Sequence, residues 1–340
     1  MIALSTTTSN LTLAILGDPY HAGQHAALNP ASGQAAHIEW LYWLLFWILA
    51  IVFVLVMATL TAAARKSVTP VQEILDISRE NPGDEGAAWA VGTAVGVTVV
   101  TLLVVLVASV VTGKRVEAVP LNNSVTIQVR GHQWWWEITY PNSEPYLTVT
   151  TANEIHVPVG RPIVVLTDSG DVIHSLWAPN IAGKRDLLPG IPTSFSFQVD
   201  KPGIYHGQCA EFCGLQHAQM GFAIIAESLD QFSAWYRQQL KPAAEPANEA
   251  EARGRDVFLT HACVMCHTIR GTTAGSRYGP DLTHIASRDM IAAETLPNVP
   301  GALAGWILDP QGVKPGNHMA PNILAPDDLQ ALIAYLQSLH

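Results

Sequence analysis

The stretch Trp40–Ala64 reads WLYWLLFWILAIVFVLVMATLTAAA and contains no charged residue. A second uncharged stretch, Gly86–Gly113, reads GAAWAVGTAVGVTVVTLLVVLVASVVTG. Both exceed the roughly 20 residues that cross the hydrocarbon core of a membrane, and buried helices of soluble proteins rarely stay uncharged for this length. The two stretches therefore predict membrane-spanning helices at about 41–63 and 87–111, within an anchoring region of residues 38–113.

Basic residues predict the orientation of these helices. Residues 1–37 contain no lysine or arginine, whereas the connection at residues 64–86 carries Arg65, Lys66 and Arg79. Because positive charge is enriched in cytoplasmic loops, we expect the connection to be cytoplasmic and residues 1–37 to form an outward-facing tail. The chain after residue 113 is then expected outside, although Lys114–Arg115 argues weakly the other way.

The charge and cysteine content of the chain limit the kinds of partner and of site that we expect. The 340-residue chain is 49% hydrophobic and 14% charged, with a formal net charge of −10 and no long run of like charge. Nucleic acid is therefore not an expected partner. A partner protein with a basic surface would complement the negative charge of this chain. The four cysteines form two close pairs, Cys209/Cys213 and Cys263/Cys266, each followed closely by a histidine. This pattern indicates metal or cofactor ligation.

The sequence pattern of the chain after residue 113 changes twice. Short β-rich runs separated by turn signals favour an all-β sandwich or Greek-key barrel within residues 114–240. Residues 241–254, rich in Ala, Glu and Pro, are typical of a linker with some helical character. Residues 255–340 show helical patterns at both ends around a Gly/Pro-rich middle, which predicts a small helical domain with a cofactor in its core.

The run Cys263–His267 reads CVMCH, a C-x-x-C-H motif. Both thiols can form thioether bonds to haem, and His267 can ligate the iron. A zinc half-site and a redox dithiol are the alternatives, but no second cysteine pair follows in this domain. Met319 is the preferred sixth ligand, because a His/Met pair suits electron transfer, and His318 and His284 compete for that position.

The run Cys209–Met220 reads CAEFCGLQHAQM, with soft donors that favour copper, namely Cys209, Cys213, His217 and Met220. His174, at the end of an earlier predicted strand, could close the site. A blue copper ion would need one cysteine, so the second implies two metals bridged by two sulfurs. A disulfide or a zinc site remains the alternative from residue types alone. Glu211 offers either a carboxylate or its backbone carbonyl.

Three tryptophans follow one another in Gly131–Trp136, which reads GHQWWW. On a strand Trp134 and Trp136 would share one face and Trp135 the other. Core packing accounts for at least one of them. Another can lie at the surface, where it would serve partner docking or electron input.

Together these motifs resemble the cytochrome c oxidase subunit II family, in the form with a C-terminal cytochrome c fusion, over nearly the whole chain after residue 38. The resemblance implies a multidomain fold of two N-terminal transmembrane helices, an all-β cupredoxin-like Greek-key domain and a small all-α class I cytochrome c domain. It implies a binuclear copper A centre with Cys209 and Cys213 as bridging thiolates. The remaining ligands would be His174 and His217, the weakly bound Met220 and the Glu211 carbonyl.

The resemblance also implies one covalently bound haem c on Cys263 and Cys266, with His267 and Met319 as axial ligands. Trp134 matches the family's electron-input position, and the Glu211 side chain matches a magnesium site shared with the catalytic subunit. The implied function is transfer of electrons from a soluble donor protein through haem c and copper A to subunit I, which reduces oxygen to water coupled to proton translocation. Implied partners are subunit I, other oxidase subunits and a bacterial inner membrane, with both cofactor domains on the periplasmic side.

The residues alone are also compatible with two other functions. The electron-input subunit of a nitric oxide reductase can carry the same copper domain, and a membrane-tethered electron carrier needs no catalytic partner. A quinol-oxidase subunit is disfavoured, because such subunits lack the cysteine ligands. The family's acidic residue before a Trp-Thr pair is not matched by Glu85–Ala90, which reads EGAAWA, so Glu85 receives no proton-transfer role.

Overall fold

The computed structural model describes residues 26–65 and 85–340. Contacts between residues divide the chain into two compact units. One unit is residues 36–118, and the other joins residues 119–340 to the stretch that ends at residue 35. The first holds the apolar helices, and the second holds the β-rich domain and the C-terminal helical domain.

The anchoring unit consists of helix α1, Gly33–Arg65, and helix α2, Glu85–Glu117. Each has 33 residues, which at about 1.5 Å per residue exceeds the roughly 30 Å of hydrocarbon in a membrane. No residue of their most apolar segments is buried, as suits contact with lipid. Both helices extend past the predicted spans because polar residues add further turns at their ends. Residues 1–25 of the predicted tail and 66–84 of the predicted connection lie outside the described residues.

Ten strands build the β domain in two five-stranded sheets. They are β1 Val125–His132, β2 Trp135–Tyr140, β3 Val149–Ala152, β4 Glu154–Pro158, β5 Pro162–Ser169, β6 His174–Trp177, β7 Arg185–Leu187, β8 Thr193–Gln198, β9 Gly203–Cys209 and β10 Gly221–Glu227. The strand orders are β3-β2-β1-β5-β8 and β4-β10-β9-β6-β7. The pairs β1/β5 and β4/β10 are parallel, and the other pairs are antiparallel.

Alternation along the strands explains why the two sheets face each other. In β1, Ile127 and Val129 are buried, whereas the alternate residues Gln128 and Arg130 are exposed. The inward sides of the two sheets share one core, whose large fully buried side chains include Trp136, Phe197 and Phe222. Burial of apolar surface on both inner faces stabilises this arrangement. The predicted all-β sandwich is confirmed.

The C-terminal region is helical. Its helices are α3 Leu229–Gln239, α4 Glu249–Thr260, α5 Pro300–Leu308, α6 Pro310–Val313 and α7 Pro326–Ser338. Helix α4 packs against α7 around Phe258, Leu332 and Tyr335. A two-stranded hairpin, β11 Met290–Ile291 and β12 Leu296–Pro297, occupies the middle of the domain. The predicted small helical domain is confirmed, with a hairpin that the sequence analysis did not anticipate.

Helix α4 begins inside the segment 241–254 that was expected to be a linker. Asn248 Oδ1 accepts a hydrogen bond from the Glu251 backbone N at 3.0 Å and so caps the first turn. The Ala and Glu residues of this segment are also good helix formers. The second half of the expected linker is therefore the start of the helical domain.

Helices α4 and α7 approach closely at Gly254. A Cβ atom there would lie 2.0 Å from Ala331 O and 2.7 Å from Tyr335 Cβ. We expect Gly254→Ala to lower the free energy of unfolding of the helical domain by about 1–3 kcal/mol, the usual cost of overpacking. Thermal unfolding followed by near-ultraviolet circular dichroism measures this change. Gly305→Ala in α5 is the control, since its Cβ would meet nothing within 4 Å; equal losses in both variants would contradict the prediction.

Candidate copper and haem sites

Two cysteines and a buried histidine form the centre of the first site. Strand β9 ends at Cys209, and the loop that follows returns Cys213 to it, with the two Sγ atoms 3.7 Å apart. His174, the first residue of β6, places Nδ1 3.9 Å from Cys209 Sγ. The three side chains are buried, and their ligand atoms lie within 4.8 Å of one another.

Three further donors surround this centre. His217 Nδ1 lies 3.6 Å and Met220 Sδ 3.8 Å from Cys213 Sγ. The backbone carbonyl oxygen of Glu211 lies 3.2 Å from Cys209 Sγ. Of the two groups that Glu211 offers, the carbonyl thus faces the sulfur atoms. The structure brings together all six residues predicted for the copper site.

The donor set can be tested against the alternatives. Cys209 and Cys213 are free thiols, so they do not form the alternative disulfide. A structural zinc ion takes four ligands, whereas six donor atoms converge here. Soft sulfur and imidazole donors favour copper, and two central sulfurs allow two ions to share them. The residues present therefore fit a binuclear copper centre.

Electrostatics also suits a cation at the two sulfurs. A hydrogen bond between the two side chains lowers the pKa of Cys209 to about 3 and raises the pKa of Cys213 well above its ordinary value. One thiolate thus forms readily, and a second beside it is disfavoured by the like charge. A bound cation would remove this repulsion and allow both sulfurs to ionise.

His174 is held by a carboxylate and by a close backbone approach. Its Nε2 lies 2.8 Å from Asp171 Oδ1, which aims Nδ1 at the sulfurs. Gly131 of β1 lies directly against the imidazole ring. Asp171 was not among the site residues predicted from the sequence. The signal for its role was a carboxylate three residues before a ligand histidine.

Gly131→Ala tests this support of the imidazole. A Cβ atom at residue 131 would lie 2.6 Å from His174 Cδ2, so the ring must move. We expect copper affinity to fall about 10- to 100-fold, as for the loss of other groups that orient a metal ligand. Copper titration with electron spin resonance measures the change. Gly183→Ala, where a Cβ would meet nothing within 4 Å, is the control. Unchanged copper binding in Gly131→Ala would contradict the prediction.

The C-x-x-C-H motif follows the end of α4. The Cys266 and His267 backbone N atoms both donate to Cys263 O, at 3.2 and 3.0 Å, so the two free thiols share one turn. His267 Nδ1 donates to Pro280 O at 2.8 Å, which leaves Nε2 for a metal. Burial lowers the pKa of His267 and favours the neutral, ligating imidazole. Paired thiols and a fixed neutral histidine fit a covalently attached haem.

The three candidates for the sixth iron ligand occupy different surroundings. Met319 packs against the core of the helical domain, as does Cys263. His284 Nδ1 lies 2.7 Å from His340 O, and its Nε2 lies 3.1 Å from Lys241 O. His318 faces the β domain, with its ring centroid 6.0 Å from that of Trp134. These contacts favour Met319.

The tryptophan run lies beside the copper site. Trp136 is fully buried in the sandwich core, and Trp135 is partly exposed and stacked on His132. Trp134 is only 7% exposed, and its Nε1 donates to Cys213 O at 3.0 Å. The predicted electron-input side chain is thus buried, with His318 of the helical domain as a ring neighbour.

Both domains match known families. Residues 144–228 match the model described as "Cytochrome C oxidase subunit II, periplasmic domain", and residues 251–340 match the cytochrome c model. Cytochrome c oxidase subunit 2 of Alkalihalophilus pseudofirmus is 37% identical over 279 residues, which are 78% of this chain and 80% of that protein. The subunit 2 of Bacillus sp. strain PS3 is 31% identical over 228 residues, 64% of this chain and 63% of that protein.

A solved structure is similar to part of the chain. The crystal structure of the periplasmic domain of subunit II of cytochrome oxidase of Bradyrhizobium japonicum is 31% identical, covers 34% of this chain and 92% of that chain, and has a TM-score of 0.32. The relative from Alkalihalophilus pseudofirmus is matched over four-fifths of its length, and the helical domain matches cytochrome c. The chain belongs to the cytochrome c oxidase subunit 2 family, in a form that carries a C-terminal cytochrome c domain.

Proposed function

We propose that this chain is the electron-input subunit of a terminal cytochrome c oxidase. Electrons from a soluble donor protein would pass through haem c and copper A to subunit I, which reduces oxygen to water coupled to proton translocation. The observation that carries the proposal is the contact of the segment before Met319 with the copper site, through His318 and Trp134. It brings the two candidate cofactor sites together within one compact unit.

The proposed roles follow from the donor geometry. Cys209 and Cys213 would bridge two coppers, with the other ligands His174, His217, Met220 and the Glu211 carbonyl. Cys263 and Cys266 would hold haem c, with His267 and Met319 on its iron. When bound, both groups supply one-electron couples, and the buried sites exclude water and keep the ligands oriented.

Trp134 is the proposed point of electron input to the copper site. Its hydrogen bond to Cys213 O links the indole to a bridging cysteine. Because the Trp134 side chain is buried, with His318 beside it, a soluble donor has little access to it. We infer that electrons reach Trp134 from the chain's own cytochrome domain, and that the soluble donor docks on that domain.

Residues ahead of α1 support the proposed membrane topology. Ala31 N donates to Asn180 O and Asp200 N donates to Ala31 O, both at 2.8 Å, so this segment belongs to the β domain. A segment bound to the exported domain lies on the same side of the membrane. Two spanning helices then put the 64–86 connection on the other, cytoplasmic side.

The catalytic subunit is the proposed partner at the copper loop. Phe212, between the two cysteines, is 76% exposed, an unusual state for a large aromatic side chain beside a buried metal site. Contact with subunit I would bury it. The neighbouring Glu211 carboxylate is proposed to bind magnesium at this interface, as in the family resemblance.

Metal and optical analysis of the purified full-length complex tests the proposal. Beyond the haem and copper of the catalytic subunit, we expect two coppers and one covalently bound haem c iron per chain. We also expect an electron spin resonance signal from one electron shared by two coppers, and copper reduction after photoreduction of haem c. Zinc at Cys209 and Cys213 would overturn the assignment. Oxygen uptake separates an oxidase from a tethered carrier, and nitric oxide turnover without oxygen uptake would identify a nitric oxide reductase instead.

A further inference from the structure

Lys314 is a buried lysine between the two cofactor domains. It follows α6 at the start of the segment that leads to Met319, and its exposed fraction is 2%. Its Nζ donates to Gln219 O at 2.8 Å and to Trp134 O and Ala292 O at 3.0 Å each. Lysine is rarely buried without a charged partner, and among the described residues no carboxylate lies within 4.0 Å of this Nζ.

The three carbonyl groups match the three N–H donors of an ammonium ion. Two of these carbonyl groups belong to residues beside the copper site. Gln219 immediately precedes Met220, and the Trp134 indole donates a hydrogen bond to Cys213 O. The third, Ala292, lies in the turn of the β11–β12 hairpin. One side chain thus ties the copper loop, the electron-input tryptophan and a cytochrome hairpin to the segment that carries Met319.

Other contacts reinforce the same junction. Gln216 Nε2 donates to Pro315 O at 2.6 Å, which joins the copper loop to the residue after Lys314. On the hairpin side, Gly221 N donates to Ala293 O at 3.2 Å. His206 Nδ1 and Glu294 Oε2 are 3.0 Å apart. These contacts lie on both sides of the Lys314 ammonium.

We propose that Lys314 is a positioning residue that fixes the haem-binding segment 315–319 against the copper loop 213–220, so that haem-to-copper electron transfer needs no docking step. The inference rests on the proposed function of the two sites. A fixed contact makes transfer fast and insensitive to salt, whereas a tethered domain must find the copper site in each turnover.

Lys314→Met in the full-length oxidase complex tests this role. Methionine keeps most of the length and apolar volume but removes all three donors. We expect haem and copper to be retained, the haem-to-copper rate after photoreduction to fall roughly 10- to 100-fold, and that rate to become dependent on ionic strength. Hydrogen exchange at residues 213–220 and 289–297 should rise, which is a readout independent of electron transfer. Lys184→Met, at an exposed lysine of the β domain, is the control.

The protonation state of Lys314 determines the pH at which this test is run. Burial lowers the pKa of Lys314 to about 7. Measurements near pH 6 keep the ammonium form in the majority. If Lys314→Met does not retain both cofactors, Lys314→Gln replaces it, because the amide preserves two donors and should give a smaller slowing.

The outcomes separate the two proposals. Wild-type rate, salt independence and exchange in the variant that retains both cofactors would overturn the role of Lys314. Absence of haem-to-copper transfer in the wild-type complex would overturn the proposed function instead. In that case unchanged hydrogen exchange in the variant would still count against Lys314 as the residue that fixes this contact.

Discussion

Replacement of Cys209 by alanine should remove copper from the β domain and lower oxygen uptake by the assembled oxidase at least about a hundredfold. Loss of a group that only orients a metal ligand costs about 10- to 100-fold in affinity, and a shared thiolate contributes more. Without Cys209, His174 and the Glu211 carbonyl lose the sulfur that they face. Copper content, the copper electron spin resonance signal and oxygen uptake measure the effect.

The haem domain provides an internal reference for this variant. Its core, around Phe258 and Tyr335, is separate from the sandwich core, so the content of covalently bound haem c should stay at one per chain. Ala218→Ser, at an exposed position of the same loop, should retain copper and activity. A Cys209→Ala protein that keeps two coppers would contradict the bridging role. Stoichiometric zinc in the wild type would instead identify a structural zinc site.

Local patterns predict much of this molecule. The uncharged stretches define α1 and α2 because length and composition alone decide whether a helix can span a membrane. Five of the six proposed copper donors fall within Cys209–Met220, since the end of β9 and the loop between β9 and β10 hold them together. The C-x-x-C-H turn is equally local, because Cys263, Cys266 and His267 share consecutive backbone hydrogen bonds.

Long-range contacts escape sequence reasoning. Nothing near Lys314 in the sequence indicates that its ammonium lies against Trp134, 180 residues away. The burial of Trp134 depends on how the β domain packs against the helical domain, and no periodic sequence pattern predicts that packing. The β11–β12 hairpin has strands of only two residues, too short for alternation to appear. Helix α4 starts earlier than expected because Asn248 caps it within a segment that has a linker's composition.

Met319→Leu should convert the haem from six-coordinate low spin to five-coordinate high spin and lower its reduction potential. Axial ligands set haem potentials over about 0.8 V, and a thioether lies at the high end, so we expect a fall on the order of 0.1–0.2 V. Since 59 mV is a tenfold change in a one-electron equilibrium, reduction by the donor becomes roughly 50- to 2,500-fold less favourable. Optical spectra and potentiometric titration measure the two changes.

His318→Ala is the matched control for the iron ligand. The two residues are adjacent, but Met319 packs against the helical core and is fixed by a hydrogen bond from its backbone N to Asn317 Oδ1 at 2.8 Å. His318 instead faces Trp134, so its removal should leave the low-spin spectrum and the potential unchanged. The reverse result, with low-spin haem lost in His318→Ala and kept in Met319→Leu, would make the histidine the ligand. The contact with Trp134 would then be broken whenever haem is bound, because one imidazole cannot serve both the iron and the tryptophan.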